Sequence, residues 1–194
     1  MKRNTGEYFE NLKTAFDNIA AKDRNDRAYT LNEAVEYTVN LVLKQAEAGG
    51  KLLFIGNGAS ACIASHMASD FWKNAQVKAI AFNDIALLTS VSNDIGYEYV
   101  FEKPIEMFAD AGDILFAVSS SGSSENIIKG VKAACKKKCY VITLSGFKEN
   151  NPLRSLGHMN YYVPLNSYGP VEVLHHSICH CVLDSIIYEK TVNK

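Results

Sequence analysis

The stretch from Asp113 to Ile128 (Asp-Ile-Leu-Phe-Ala-Val-Ser-Ser-Ser-Gly-Ser-Ser-Glu-Asn-Ile-Ile) narrows the possible folds more than any other part of the chain. Ile114 to Val118 are a short apolar run of the kind that builds a buried parallel strand. Ser119 to Ser124 are serines around one glycine, Gly122, and Ile127, Ile128 and Val131 then fall at helical spacing. A strand, a Ser/Gly loop and a helix start in this order point hydroxyls and backbone N–H groups at one spot before a helix N-terminus. That spot carries partial positive charge and suits a phosphate. Ser119, Ser121 and Ser124 are the candidates for direct contact. The plainer alternative is a polar linker in which Ser123 or Ser124 caps the helix. No Gly-Lys-Ser/Thr occurs here, which argues against a nucleoside-triphosphate loop.

The rest of the chain alternates in the same way. Leu52–Ile55 read as a strand, Gly56–Ser60 as a tight loop, and 61–73 as a helix. Further strands are expected over 78–82, 139–144 and 161–164, the last at a sheet edge because Pro164 cannot donate to a ladder. Asn83-Asp84 is placed to cap a short helix over 85–89, with Ser92–Asp94 as the following loop, and 97–108 reads as a helix interrupted by Pro104. Helices are expected over 124–137 and 170–188. Strands and helices in alternation, joined by short connections, imply a doubly wound α/β fold with a five-stranded parallel sheet flanked by helices. Ligands of such sheets bind at the carboxyl ends of the strands, where Gly56–Ser60, Ser92–Asp94 and Ser119–Ser124 would converge. The dinucleotide fingerprint fails, since Gly56-x-Gly58 has no third glycine.

Two amphipathic helices lead this core. One is expected over 5–22 and one, capped by Thr30 and stopped by Gly49-Gly50, up to about Ala48. Their apolar stripes fit either their own core or another subunit. At 194 residues the chain reads as one domain, with 1–50 as a helical extension used in oligomerisation and 51–194 as the α/β core. A net charge of −1 gives no pull toward nucleic acid or membrane. No signal peptide, lipidation motif or apolar run of membrane-spanning length is seen. Five cysteines without a C-x-x-C pair read as reduced core or near-core thiols of a cytoplasmic protein.

Acid–base and metal candidates fall on two helices. His66 and Asp70 share a face at i and i+4, and Glu172, His176 and His180 form a stripe at four-residue steps, with His175 beside it. Such sets can bind a divalent metal or move protons, and each histidine alone also fits a hydrogen-bonded place on a helix surface.

With these motifs in view, the chain resembles the sugar isomerase (SIS) family, and within it the bacterial phosphoheptose isomerases. The resemblance rests on Gly56-Asn-Gly-Ala-Ser60, His66-x-x-x-Asp70, Val91-Ser-Asn-Asp-x-Gly-Tyr97, Ser119-x-Ser-Gly-x-Ser-x-Asn126 and the His180 helix. It implies the SIS fold and interconversion of sedoheptulose 7-phosphate with a heptose 7-phosphate through an enediol. It implies phosphate contacts at Ser60, Ser119, Ser121 and Ser124, and sugar contacts at Asn57, Gly58, Ala59, Asn93, Asp94 and Ser120. Zinc and acid–base positions fall on His66, Asp70, Glu172 and His180, and a homotetramer with sites at subunit interfaces is implied. Asp70 is the base by this resemblance, Glu172 its understudy and His180 the acid. The family usually has glutamate at Asp70 and glutamine at Glu172, so the carboxylate is set back at one position and a charge added at the other. Competing implications are isomerisation of another sugar phosphate, or a non-catalytic SIS protein such as a sugar-phosphate sensor or a DnaA-associating protein.

Overall fold

A computed structural model describes residues 5–192. Its helices are α1 (Thr5–Asp17), α2 (Leu31–Glu47), α3 (Ala59–Asn74), α4 (Ile85–Asp94), α5 (Glu102–Phe108), α6 (Glu125–Lys136) and α7 (Tyr168–Val192). Its strands are β1 (Ala20–Asp23), β2 (Ala28–Tyr29), β3 (Leu52–Gly56), β4 (Ala79–Ala81), β5 (Ile114–Ser119), β6 (Tyr140–Ser145) and β7 (Met159–Tyr162). They form one sheet in the order β2-β1-β7-β6-β5-β3-β4. The five strands from β3 to β7 are mutually parallel, as expected, whereas β1 and β2 join antiparallel.

Every residue of β3 and β5 is buried, which is why both read as continuous apolar runs rather than as alternation. Their side chains still alternate between two cores. Leu52 and Phe54 face the layer of α2, α3 and α7, where Phe54 stacks on Phe116 with centroids 4.9 Å apart. Leu53 and Ile55 face α5 and α6 through Phe101, Ile105, Ile127 and Val131.

Three sequence expectations change. The first helix ends at Asp17, and the residues after it form the β1–β2 hairpin. β7 is therefore not an edge strand, because β1 pairs along its outer side from Ala20↔Tyr162 to Asp23↔Met159. Pro164 lies beyond the strand and loses no ladder bond. α4, capped by Asp84 through Leu87 N–H, continues through Asp94, so Ser92–Asp94 are its last turn and not a loop. Both Ile95 and Gly96 N–H groups then donate to Val91 O and close the helix, with Gly96 at φ +139. The second leading helix does start with Thr30, in a full capping box with Glu33. Tyr97–Tyr99 is a separate 3-10 turn, and Pro104 sits in the first turn of α5, where no helical bond is lost.

Only Cys139 and Cys179 are buried, and their thiols are pushed up to about 11 and about 12 by desolvation. Cys62, Cys135 and Cys181 are exposed, against the expectation of near-core thiols. No helix among the described residues is long and apolar enough to cross a membrane.

His158, just before β7, offers a pH handle remote from the sheet's loop edge. Its Nδ1 accepts Val141 N–H at 3.0 Å and lies 3.4 Å from Arg24 Nη2, so its lone pair is already used. Burial, with Arg24 adding to it, lowers its pKa to about 4. The native ring therefore stays neutral where the unfolded chain takes up a proton near pH 6.5. Its contribution is fully present above that pH and is lost as pH falls from about 6.5 to about 4. Unfolding free energies from urea titrations between pH 7 and 4.5 should drop, by about 1 kcal/mol after allowing for the wet side of the ring. His158→Gln should flatten that part of the profile, and an unchanged profile would remove His158 from the account.

Candidate active site

Two strand ends and two helix starts meet at one place. β3 and β5 are paired from Leu52↔Ile114 to Gly56↔Val118, so the loops that follow them leave the sheet side by side. The first loop enters α3 through Gly58, which sits at φ +55 as its N-cap and has no side chain to cap with. The second enters α6 through Ser124, whose hydroxyl makes no capping bond. Neither N-cap residue thus caps its helix with a side chain, although Ile127 N–H in the first turn of α6 donates to Asn126 Oδ1 at 2.9 Å, and Ser124 is not spent as a cap.

The hollow in front of them is about 260 Å³ and is lined by Asn57, Gly58, Ala59, Ser60, Ser119, Ser120, Ser121, Ser124, Tyr168 and Glu172. Eight of these are residues that the resemblance assigned to phosphate or sugar, and Glu172 is one of its acid–base residues. Ser120 Oγ is buried without a hydrogen-bond partner, a donor left for a ligand. No basic side chain lines the hollow, so an anion there would be held by hydroxyls, backbone N–H groups and the two helix ends.

The loops are fixed from behind. Asn57 and Asn126 exchange two amide hydrogen bonds of 2.9 Å each, tying the first loop to the start of α6. Tyr97 adds its hydroxyl to Asn57 Oδ1 at 3.0 Å. Gly122 sits at φ +61, and its hydrogen faces the buried Asn151 side chain so closely that a Cβ would collide with Asn151 Oδ1. The amide of Asn151 in turn donates to Ser145 Oγ, Gly146 O and Lys148 O. Asn126 was visible in the motif, but its bracing role depends on a partner 69 residues away.

Asn93 and Asp94 do not line the hollow. They lie exposed on the last turn of α4, with Asn93 Nδ2 donating to Asp94 Oδ1 at 2.8 Å. Tyr168, the first residue of α7, does line it, whereas Tyr161 is buried with its hydroxyl on Thr38 Oγ1 and Ala34 O.

A second cluster lies where α3 meets α7. His66, His176 and His180 each offer a ring nitrogen within 4.8 Å of the others. Their ring centroids are 4.6 Å (His176–His180), 5.1 Å (His66–His176) and 5.4 Å (His66–His180) apart. Asp70 stands beside them, its Oδ2 3.3 Å from His66 Nε2 and its Oδ1 3.3 Å from Lys73 Nζ. Burial, then the neighbouring imidazoles, lower the pKa of His176 from the ordinary histidine value. Its Nε2 is buried without a partner. Three imidazoles with a carboxylate alongside are a donor set that fits a divalent metal such as zinc. Glu172 is not in that group. One turn before His176 on α7, it lines the serine hollow instead. His175, on the other side of the helix, is fully buried; its Nε2–H donates to Ser145 O at 3.1 Å, and burial brings it to about 4.

A model described as the SIS domain matches residues 7–146. The phosphoheptose isomerase of Helicobacter hepaticus is 34% identical over 166 residues, 82% of this chain and 84% of the relative. That of Proteus mirabilis is 36% identical over 168 residues, 84% of this chain and 86% of the relative. The solved phosphoheptose isomerase of Neisseria gonorrhoeae superposes with a TM-score of 0.82 at 28% identity, covering 93% of this chain and 96% of its own. The leading helix from residue 7, the paired serine loops and strands β1 to β6 fall within the matched region, and β7 and α7 follow it. By that match, and by its identity with these relatives along most of its length, the chain belongs to the SIS domain family and to the phosphoheptose isomerases within it.

Proposed function

We propose that this protein converts sedoheptulose 7-phosphate to D-glycero-D-manno-heptose 7-phosphate, an aldose–ketose isomerisation that opens heptose precursor synthesis for lipopolysaccharide or capsule. The observation that carries this reading is the adjacency of the two sites along α7. Glu172 lines the serine hollow, and one and two turns further His176 and His180 meet His66 from α3. A phosphorylated chain anchored at one end would lay its other end toward the histidines and carboxylates.

The serines and helix ends hold the phosphate and orient the sugar, contributing binding energy away from the reacting carbons. Asp70 removes the proton from the carbon next to the carbonyl, with Glu172 as a second carboxylate on the hollow's side. His180 moves protons on the two oxygens as the imidazole acid–base group of the site. Asn57 is held by Asn126 and Tyr97 and so presents a fixed amide to the sugar. His66, Asp70 and His180 are placed to hold the zinc, which when bound polarises the carbonyl and stabilises enediolate charge.

The assembly proposed with this reading is a homotetramer. Phe9 and Phe16 on α1 are 66% and 47% exposed, and a hollow of about 610 Å³ between α2 and α7 is lined in part by Val35, Val39 and Tyr188. Apolar surface of this kind on leading helices suits contact with further copies. A cytoplasmic setting is supported by five unpaired cysteines.

The test is an isomerase assay with sedoheptulose 7-phosphate, following the aldose, before and after chelation and zinc return. Zinc-restored turnover is expected. Thermal stabilisation by the sugar phosphate without turnover on it or on other ketose phosphates would instead leave a binding protein.

A further inference from the structure

We propose that in this chain the third imidazole, His176, is a direct ligand of the metal together with His66 and His180, and that Glu172 is left out of the ligand set to face the sugar. The inference deepens the proposed metal site and does not depend on which sugar is bound. Three observations meet here. His176 belongs to the one group of three donors, within 4.8 Å of one another, that can share an ion among the described residues. Its Nε2 is buried with no hydrogen-bond partner, a state that costs free energy unless something occupies the lone pair or the N–H. Glu172, four residues earlier on the same stripe, is outside the group and lines the serine hollow with Tyr168.

Helix geometry explains how one stripe serves two sites. Glu172, His176 and His180 rise about 6 Å per step along α7, so the stripe passes both α3 and the loop edge of the sheet. His66 reaches only part of that length. It meets the last two members, with ring centroids 5.1 Å from His176 and 5.4 Å from His180. Charge points the same way. Neutral imidazoles leave a divalent ion most of its positive charge, with Asp70 the single carboxylate beside it, and more charge is then available to polarise a carbonyl. A nitrogen-rich set suits zinc or cobalt.

Cobalt(II) binding to the full chain, followed by its visible absorption and by competition for affinity, separates the alternatives without recourse to turnover. His176→Ala is expected to weaken cobalt binding by at least roughly tenfold, and Glu172→Ala, which removes the side-chain donor altogether, by less than about threefold. His176→Cys should restore binding and add a thiolate-to-cobalt charge-transfer band, which only a sulfur bonded to the ion can give. Circular dichroism of each variant checks that the helices are kept. Tight binding by His176→Ala, cobalt binding by His176→Cys without the band, or equal loss in Glu172→Ala would each overturn the assignment. Wild-type protein that takes up no cobalt would overturn the metal site as a whole, which distinguishes the two failures.

Discussion

His180→Ala is expected to lower kcat by a factor of roughly 10² to 10⁴ while the protein still binds sugar phosphate. His180 lies in the imidazole cluster, and the serine hollow that would take the phosphate does not include it. Loss of the ring therefore removes proton transfer without touching the anchor. Ser121→Ala gives the opposite pattern. It lines the hollow and should raise KM roughly tenfold, the worth of one hydrogen bond to a charged group, with kcat nearly kept. Steady-state kinetics on both variants, with a direct binding measurement for His180→Ala, reads the split. Similar mild losses in both would mean that binding and chemistry are not divided between the two sites.

The second large effect is expected at Gly56, the last residue of β3. A Cβ there would run into the backbone of Ser60, against its carbonyl oxygen and 2.8 Å from its Cβ. Backbone cannot move aside as a flexible side chain would, and Ser60 belongs to the first turn of α3. Gly56→Ala should cost about 3 kcal/mol, the upper end for forcing extra volume into a packed site. For a domain of this size that lowers the melting temperature by about 6–12 °C. Because the shift falls on the turn holding Ser60, phosphate-dependent stabilisation should weaken as well. Thermal melts with and without the sugar phosphate test both parts. A wild-type melting temperature would show that the α3 start can slide without penalty.

The parallel core was legible because β3 and β5 are apolar up to their last residues, Gly56 and Ser119, and the loops because serine and glycine follow those runs directly. Local chemistry carries such signals. The β1–β2 hairpin was not legible for the opposite reason. Ala20–Asp23 has no β-branched residue, and what makes it a strand is the outer edge of β7, nearly 140 residues later in the chain. The run to Asp94 in α4 was missed since Asn93 and Asp94 are poor helix formers and read naturally as a turn. The histidine stripe was visible in its spacing. Which of its members share a site depends on where α3 crosses α7, and spacing on one helix cannot say that.

The same hairpin decides how the sheet ends. With β1 laid along β7, the outermost strands are β2, of two residues, and β4, of three. Neither offers a row of free N–H and C=O groups long enough to template a strand from another molecule. Sheet growth from chain to chain is thereby closed off on both sides, and copies of this protein are left to meet through their helices.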